Sequence, residues 1–233
     1  MKIRIKFSKS AAMIFVGHLD MVRYFQKAMR RANVDIAYSG GFNPHQVMSF
    51  AAPLGVGIYS NGEYLDIEAN SVTTASDMVN ALQQQMVEGV SIVSVKMLPE
   101  GTTNAMASVA AAGYTVRFRA GAEPDFDYQN AILSFYQKES INVIKKTKKS
   151  EKELDLKPFI FELKPVEDGI YMLVDASSSG NIKPNLIMQA FFKENGKELG
   201  EFDTIITRED TYTNVGTEEE PLFQPLDSMG NDF

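Results

Sequence analysis

Apolar residues recur with two different periods in the first hundred residues, and this alternation constrains the fold more than any single motif. Residues 2–8 alternate charged and apolar side chains, as a half-buried strand does. Residues 18–33 instead carry apolar side chains at helical spacing, at Leu19, Val22, Phe25, Met29 and Ala32. Strand patterns follow at 47–50, 63–69 and 91–97, and a second helix pattern covers 74–88. The predicted order is strand, helix, strand, strand, helix, strand.

This order is that of the ferredoxin-like arrangement, an antiparallel sheet with two helices on one face. It begins again near Tyr114, without any residue-level repeat between the halves. We therefore predict an α+β protein of two ferredoxin-like (βαββαβ) units with antiparallel sheets. The predicted divisions are a first domain at 1–98, a linker at 99–112, a second domain at 113–208 and an acidic flexible tail at 209–233.

The composition excludes several classes of site. The chain has no cysteine, so disulfides, thiolate zinc sites, a cysteine nucleophile and a self-contained iron–sulfur cluster are excluded. The N-terminal residues lack the apolar core of a signal peptide, and no run approaches the roughly 18 apolar residues that span a bilayer. We predict a cytoplasmic protein without membrane contact, and no cofactor.

The net charge of −7 is unevenly distributed. Residues 1–60 contain eight basic and two acidic residues, so the remaining residues are strongly acidic. A basic patch on an acidic body can bind a polyanion locally. Alternatively, the basic and acidic parts of the chain attract each other.

The helix at 18–33 places several polar side chains on its exposed face: Asp20, Arg23, Tyr24, Lys27, Arg30 and Arg31. Four cations on one face form a patch of the size that binds phosphates, or simply a solvated surface. Gly17 is the predicted N-cap. Lys2, Arg4 and Lys6 are expected on the outer face of an edge strand, where cations block edge-to-edge pairing.

Two turns are predicted after this helix. Adjacent glycines at Gly40-Gly41 permit a tight turn or a close approach to a ligand. Asn43 precedes Pro44 and is therefore extended, which holds His45 on a stiff dipeptide. Asn61-Gly62 is a strong signal for a second turn.

Six motifs carry a family resemblance: Gly17-His18-Leu19-Asp20, Arg30-Arg31-Ala32, Tyr38-Ser39-Gly40-Gly41-Phe42-Asn43-Pro44-His45, Pro53-Leu54-Gly55-Val56-Gly57, Glu63-Tyr64-Leu65-Asp66 and Asp155-Leu156-Lys157-Pro158. They resemble the radical SAM-linked protein family, a bacterial domain of unknown function that occurs alone or attached to radical SAM enzymes. The resemblance covers about residues 1–208. Two positions depart from the family pattern: this chain has Gly17 where the family usually has Ser, and Gly40 where it usually has Gln. The resemblance implies a radical SAM enzyme as a partner but supplies no reaction.

The order of histidine, basic helix and Gly-rich turn is also similar to the repeat-associated RNA endoribonucleases of CRISPR systems. By this analogy Arg23, Lys27, Arg30 and Arg31 hold phosphates, and Tyr38 or Phe42 stacks a base in the loop that includes Gly40, Gly41 and Asn43. His18 and His45 then suit a general base and acid, because imidazole titrates near neutrality. This hypothesis requires the two imidazoles to meet. Each histidine is otherwise an ordinary helix-start or loop residue.

Of two alternatives to RNA binding, one is set aside and one stays open. A metal site at His18, Asp20 and His45 is not predicted, because residues two apart on a helix do not share a face. An accessory module that docks on a radical SAM enzyme, or presents substrate to it, is the alternative to RNA binding. The sequence does not decide whether the protein is an enzyme, and it gives neither the RNA nor the oligomeric state.

Overall fold

The computed structural model describes residues 1–146 and 151–233, which fold into two units. The first unit contains residues 1–110 and 208–233, and the second contains residues 111–207. The chain therefore leaves the first unit once and returns to complete it. Within the described ranges, no helix combines the length and apolarity that crossing a membrane requires.

The first unit begins with the predicted order of elements. They are β1 (Lys2–Lys9), α1 (His18–Arg31), β2 (Met48–Phe50), β3 (Tyr59–Glu68), α2 (Ala75–Gln83) and β4 (Val90–Met97), followed by a short helix, α3 (Ala105–Ser108). β1 lies between β3 and β4 and is antiparallel to both. β2 is antiparallel to residues 65–67 of β3. The strand order here is therefore β4–β1–β3–β2.

The second unit also combines antiparallel strands with helices. Its elements are β5 (Ala111–Phe118), α4 (Tyr128–Tyr136), β6 (Asn142–Lys146), β7 (Glu151–Asp155), β8 (Ile160–Val166), β9 (Gly169–Asp175) and α5 (Pro184–Glu194). β9 is antiparallel to both β5 and β8, whereas β6 and β7 form a separate two-stranded sheet. Phe135 of α4 and Phe191 of α5 pack with ring centroids 5.5 Å apart. The predicted α+β class is confirmed.

The acidic C-terminal residues are part of the first unit. β10 (Thr204–Asn214) continues into it from Arg208 and lies beside β3, and β11 (Phe223–Pro225) pairs antiparallel with β10. A 3₁₀ helix (Leu226–Met229) follows, and Asn231 forms a bridge with Met97 of β4. The prediction of an acidic flexible tail at 209–233 is therefore wrong.

Charge neutralisation explains why these acidic residues pack. Lys6 Nζ lies 2.6 Å from Asp210 Oδ2 and 3.6 Å from Asp227 Oδ2. The Tyr64 hydroxyl donates to Asp210 Oδ1 at 2.6 Å. Of the two interpretations of the uneven charge, attraction between basic and acidic segments accounts for this part of the molecule.

Arg4 binds two further segments that were predicted to be loose or exposed. Its guanidinium is fully buried (0% exposed), donates to both Asp66 oxygens at 2.8 Å and donates to the Leu226 carbonyl at 2.9 Å. Asp66 Oδ2 also accepts from Ala105 N at 2.6 Å. The expectation of an exposed edge strand is wrong because β1 is central and covered on both faces. Of the predicted linker at 99–112, residues 99–110 belong to the first unit.

The opposite face of β1 forms the apolar core with the two long helices. Ile3, Ile5 and Phe7 are buried there, together with residues of α1, α2 and β4: Met21, Phe25, Met29, Met78, Leu82, Val90, Ile92 and Val95. The predicted stripe of α1 is thus correct at Phe25 and Met29. Leu19 is instead 71% exposed.

The predicted turn at Asn61-Gly62 is wrong, because both residues lie within β3. A Cβ at Gly62 would come within 2.5 Å of Asp210 Oδ1 and 2.8 Å of Asp210 Cα. The glycine therefore permits the close approach of β10 rather than a change of chain direction.

Candidate nucleic-acid interface and adjoining pocket

Three basic side chains lie along the exposed face of α1. Arg23, Lys27 and Arg30 are four and three residues apart, so they occupy neighbouring positions on one face. Arg23 forms an exposed ion pair with Asp20 at 3.2 Å, a type of pair that contributes little. We call Arg23, Lys27 and Arg30 the cationic row, because their charges face solvent.

Two other residues predicted on this face have structural partners. The guanidinium of Arg31 donates to the side chain and backbone oxygens of Gln85 at 3.3 and 3.1 Å. The hydroxyl of Tyr24 accepts from Val87 N at 2.8 Å and contacts Met86 Sδ at 3.5 Å. Both residues fasten α1 to the segment between α2 and β4, so neither belongs to the cationic row.

The Gly-rich segment forms a loop whose two ends are tied together. Ser39 N donates to the His45 carbonyl at 2.8 Å, and Tyr38 forms a bridge with Gln46. The Ser39 hydroxyl lies 2.8 Å from His45 Nδ1 and accepts from His45 N at 3.1 Å. Gly41 has a φ of +99°, which side chains rarely adopt. We call residues 39–45 the glycine loop.

The tip and base of the glycine loop present aromatic rings to solvent. Phe42 is fully exposed, and Tyr38 is about half exposed. Gly40 and Asn43 are exposed beside Phe42. A fully exposed phenylalanine leaves a large apolar surface in water, where it is available for stacking.

A buried amide at the base of the same loop has unused hydrogen-bonding capacity. Gln46 is 5% exposed, and among the described residues neither its Nε2 nor its Oε1 has a hydrogen-bond partner. An unpaired buried polar group costs about 1–3 kcal/mol. Native proteins rarely leave such a group unpaired, so Gln46 is a candidate contact for a water molecule or a ligand.

The two predicted catalytic histidines lie in different places. His18 begins α1, is half-buried and packs edge-on against Phe50, with ring centroids 5.3 Å apart. His45 is exposed on the glycine loop. Residues 46–50 are extended between them, so His45 lies about 16 Å along the strand from Phe50 at roughly 3.3 Å per residue. This arrangement does not support one site containing both imidazoles.

A small pocket lies beside His18 instead. It has about 20 Å³ of free space, which is roughly the room that one water molecule needs. Phe7 and Phe50 form apolar walls, and the polar lining residues are Lys9, His18 and Glu63. We call this space the His18 pocket.

Lys9 is the most unusual group in the His18 pocket. It is 3% exposed, and its Nζ donates to the Val16 carbonyl at 2.7 Å. Burial lowers the pKa of Lys9, the negative charge of Glu63 opposes that effect, and the Arg208 charge adds to it. A lysine with a lowered pKa in a pocket is a candidate functional group.

Glu63 is held by a buried ion pair. Arg208 Nη2 donates to its two oxygens at 2.6 and 2.7 Å, and Arg208 Nε donates to Oε1 at 2.8 Å. The Ser60 hydroxyl donates to the same Oε1 at 2.7 Å. Glu63 therefore has a fixed position and a neutralising partner.

The sequence offered one signal for this pocket that was missed. Lys9 continues the inward alternation of Ile3, Ile5 and Phe7, which places a cation on the core side of β1. Glu63 and Arg208 are far apart in the sequence, and no local pattern pairs them. Within residues 1–146 and 151–233, no three His, Cys, Asp or Glu side chains are grouped as a metal site.

The cationic row, the glycine loop and all lining residues of the His18 pocket lie within the part of the chain that matches a family model. Residues 2–184 match the DUF2344 family model, described as an uncharacterized protein conserved in bacteria. The chain belongs to this family. No curated protein matches the DUF2344 chain.

Among solved structures, the DUF2344 chain is similar to a chain in the crystal structure of a Cbf5-Nop10-Gar1 complex. The identity is 9% and the TM-score is 0.47, over 90% of this chain and 48% of that chain. The DUF2344 chain therefore spans about half the length of the chain that it matches.

Proposed function

We propose that this DUF2344 protein binds single-stranded RNA through the cationic row and the glycine loop. The observation that carries the proposal is the full exposure of Phe42 on a loop whose ends are fixed. The cationic row lies on the helix that leads into this loop. The two features supply the two kinds of contact that single strands need, aromatic stacking and phosphate neutralisation.

The aromatic residues favour a single strand over a duplex. Bases in a duplex are stacked on one another, whereas bases in a single strand can stack on a protein ring. Such stacking contributes about 1–3 kcal/mol per base. Phe42 is the main stacking residue in this proposal, and Tyr38 is the second.

The remaining predicted RNA-binding residues have supporting roles. Gly40, Gly41 and Asn43 shape the loop that presents Phe42. Arg31 is engaged with Gln85, so we assign it to the edge of the surface rather than to the cationic row.

The test measures binding of a short unstructured RNA against salt concentration. Each lost phosphate contact should lower the slope of log affinity against log salt by about 0.7 for a single strand. A triple variant, R23A/K27A/R30A, should therefore lower the slope by about 2. Phe42→Ala should weaken binding about tenfold with little change of slope.

The matched control removes the same charge elsewhere. Lys164, Lys193 and Lys197 are exposed residues of the second unit, so K164A/K193A/K197A changes the net charge equally. Equal loss of affinity in both triple variants would mean that RNA binds by general electrostatic attraction and not at the cationic row. No binding by the unmodified protein would refute the proposed function.

RNA processing or modification together with a radical SAM enzyme is the finer form of this proposal. The motif resemblance supports the partner, and the absence of cysteine leaves the cluster to that partner. Catalytic roles for His18 and His45 stay predictions. The two histidines lie at separate places in the first unit, so each must be tested alone.

The alternative function is a non-catalytic module that docks on a radical SAM enzyme or presents substrate to it. Exposed apolar residues near the His18 pocket favour it, namely Phe15, Leu19 and Val56. Retention of the enzyme at high salt, without any RNA binding, would select this alternative.

We also infer that both units are ferredoxin-like. The strand order β4–β1–β3–β2 supports this for the first unit. In the second unit the order is β5–β9–β8, and residues 204–207 of β10 lie beside β5. β6 and β7 are then an insertion.

A further inference from the structure

We propose that the His18 pocket binds a phosphomonoester, so that the protein recognises RNA by a phosphorylated end. The identity of the ligand rests on the proposed RNA binding, whereas the anion preference rests on the pocket itself. The surface described above would then hold the body of the strand, and the His18 pocket would hold its end.

The charges around the pocket favour an anion. The charged lining residues are Lys9 and Glu63, and the carboxylate of Glu63 accepts three hydrogen bonds from Arg208, whereas Lys9 Nζ donates to a neutral carbonyl. Glu63 is already bonded by Arg208 and Ser60, and no carboxylate of the described residues forms an ion pair with Lys9, although the charge of Glu63 acts on it from a greater distance. Burial lowers the pKa of Lys9, and a bound anion would offset the cost of its charge.

Hydrogen-bond donors are available at the same place. The Lys9 ammonium has three N–H groups, and one donates to Val16. His18 also lines the pocket, and an imidazole N–H can donate a hydrogen bond there. Gly17 caps α1 without a side chain, so the first N–H groups of the helix add to the attraction for an anion.

A phosphomonoester fits this pocket better than an internal phosphodiester. A terminal phosphate carries about −1.5 to −2 charges at pH 7 and three free oxygens. The pocket has space for about one oxygen-sized group, so it can receive a projecting oxygen but not a chain that passes through. The cationic row starts at Arg23, about 7.5 Å along the helix axis from His18.

The experiment compares RNAs of one sequence that differ only at their ends. A 5′-phosphate, a 3′-phosphate and an unphosphorylated strand are measured with the full chain, alongside inorganic phosphate and a nucleoside monophosphate. The expected result is about tenfold tighter binding of a phosphorylated strand. Lys9→Met and His18→Asn should each reduce this preference to about twofold while binding of the unphosphorylated strand stays unchanged.

Controls separate this inference from the proposed function. Lys2→Met removes an exposed lysine from the same strand and should keep the preference. His18→Asn is at a half-buried position, so it tests the pocket even if Lys9→Met fails to fold. Equal affinity for all strand ends, or a preference that survives both pocket variants, would overturn the inference while RNA binding stands. Phosphate-dependent thermal stabilisation that is lost in Lys9→Met, without RNA binding, would support the pocket and refute the RNA-binding function.

Discussion

The Tyr64 hydroxyl lies 2.6 Å from Asp210 Oδ1, a contact between residues 146 positions apart. Tyr64 belongs to β3, whereas Asp210 lies on the returning β10 and also pairs with Lys6 at 2.6 Å. Burial raises the pKa of Tyr64, and the neighbouring Asp210 charge raises it further. The hydroxyl therefore fastens the returning chain only while it keeps its proton.

Alkaline pH should weaken the protein through Tyr64. Its folded pKa lies above the unfolded value of about 10, so the stabilisation is complete below pH 10 and is lost as the pH rises beyond it. The free energy of unfolding should fall by up to about 1.4 kcal/mol per pH unit, measured by denaturant titration from pH 8 to 11. Tyr64→Phe should lower stability by about 1–3 kcal/mol at pH 8 and flatten the alkaline decline. Tyr59→Phe is the control, and an unchanged slope in Tyr64→Phe would contradict the assignment.

Removing the charge of Lys9 should change the stability little, whereas removing the charge of Glu63 should lower it strongly. Lys9→Met removes a poorly solvated charge and leaves the Glu63–Arg208 pair, so we expect a change within about 1 kcal/mol. Glu63→Gln leaves two buried cations and should cost about 3–5 kcal/mol.

The pH dependence gives a second readout for Lys9. Its folded pKa is lowered, so the unfolded chain holds more protons between that value and 10.5. The stability of the unmodified protein should therefore rise with pH in that window, and the stability of the Lys9→Met variant should rise less. A large loss of stability in Lys9→Met would show that its ammonium is a structural group.

The early part of the fold could be predicted because local periodicity determines it. The apolar spacing around Phe25 and Met29 identified α1, and the alternation of Ile3, Ile5 and Phe7 identified β1. These patterns report which face is buried by a neighbour in the same unit. They do not report what covers the opposite face.

The covering segment could not be predicted because it comes from the other end of the chain. Arg4 looked like a solvent-facing cation, and its partner Leu226 lies 222 residues away. Acidic, Gly-containing sequence at 209–233 is typical of a loose tail. It folds because Arg4 and Lys6 of β1 bind it and because β10 lies beside β3. The candidate site was also only partly predictable. The cationic row follows from helical spacing, whereas the His18 pocket depends on long-range contacts.

Asp66 should be essential for holding the C-terminal residues. Asp66→Asn leaves the Arg4 guanidinium buried without a full countercharge and should cost about 3–5 kcal/mol. The double variant R4M/D66L removes both charges and should cost less. Limited proteolysis followed by mass spectrometry should show faster cleavage within 209–233 in Asp66→Asn than in the unmodified protein. Equal cleavage rates would mean that this ion pair does not retain the segment.

Two glycines should differ sharply when each is replaced by alanine. The Gly62→Ala methyl group would meet Asp210 backbone and side-chain atoms at 2.5–2.9 Å, so overpacking should cost about 1–3 kcal/mol or more. A Cβ at Gly40 has no atom within 4 Å, and Gly40→Ala should stay within about 0.5 kcal/mol. Denaturant unfolding measures both. A tolerated Gly62→Ala would mean that β10 can shift away from β3.

Gln46 should lower the stability of the free protein and strengthen RNA binding. Its buried amide has no partner in the described ranges, so Gln46→Met removes an uncompensated polar group and should stabilise the protein by about 1–2 kcal/mol. Gln129→Met changes an exposed amide and should have little effect on denaturant unfolding. If the glycine loop rearranges around RNA and the amide then binds a base, the same Gln46→Met variant should bind RNA about tenfold more weakly. Unchanged affinity with raised stability would assign Gln46 to the fold alone and leave Phe42 as the residue that contacts the bases.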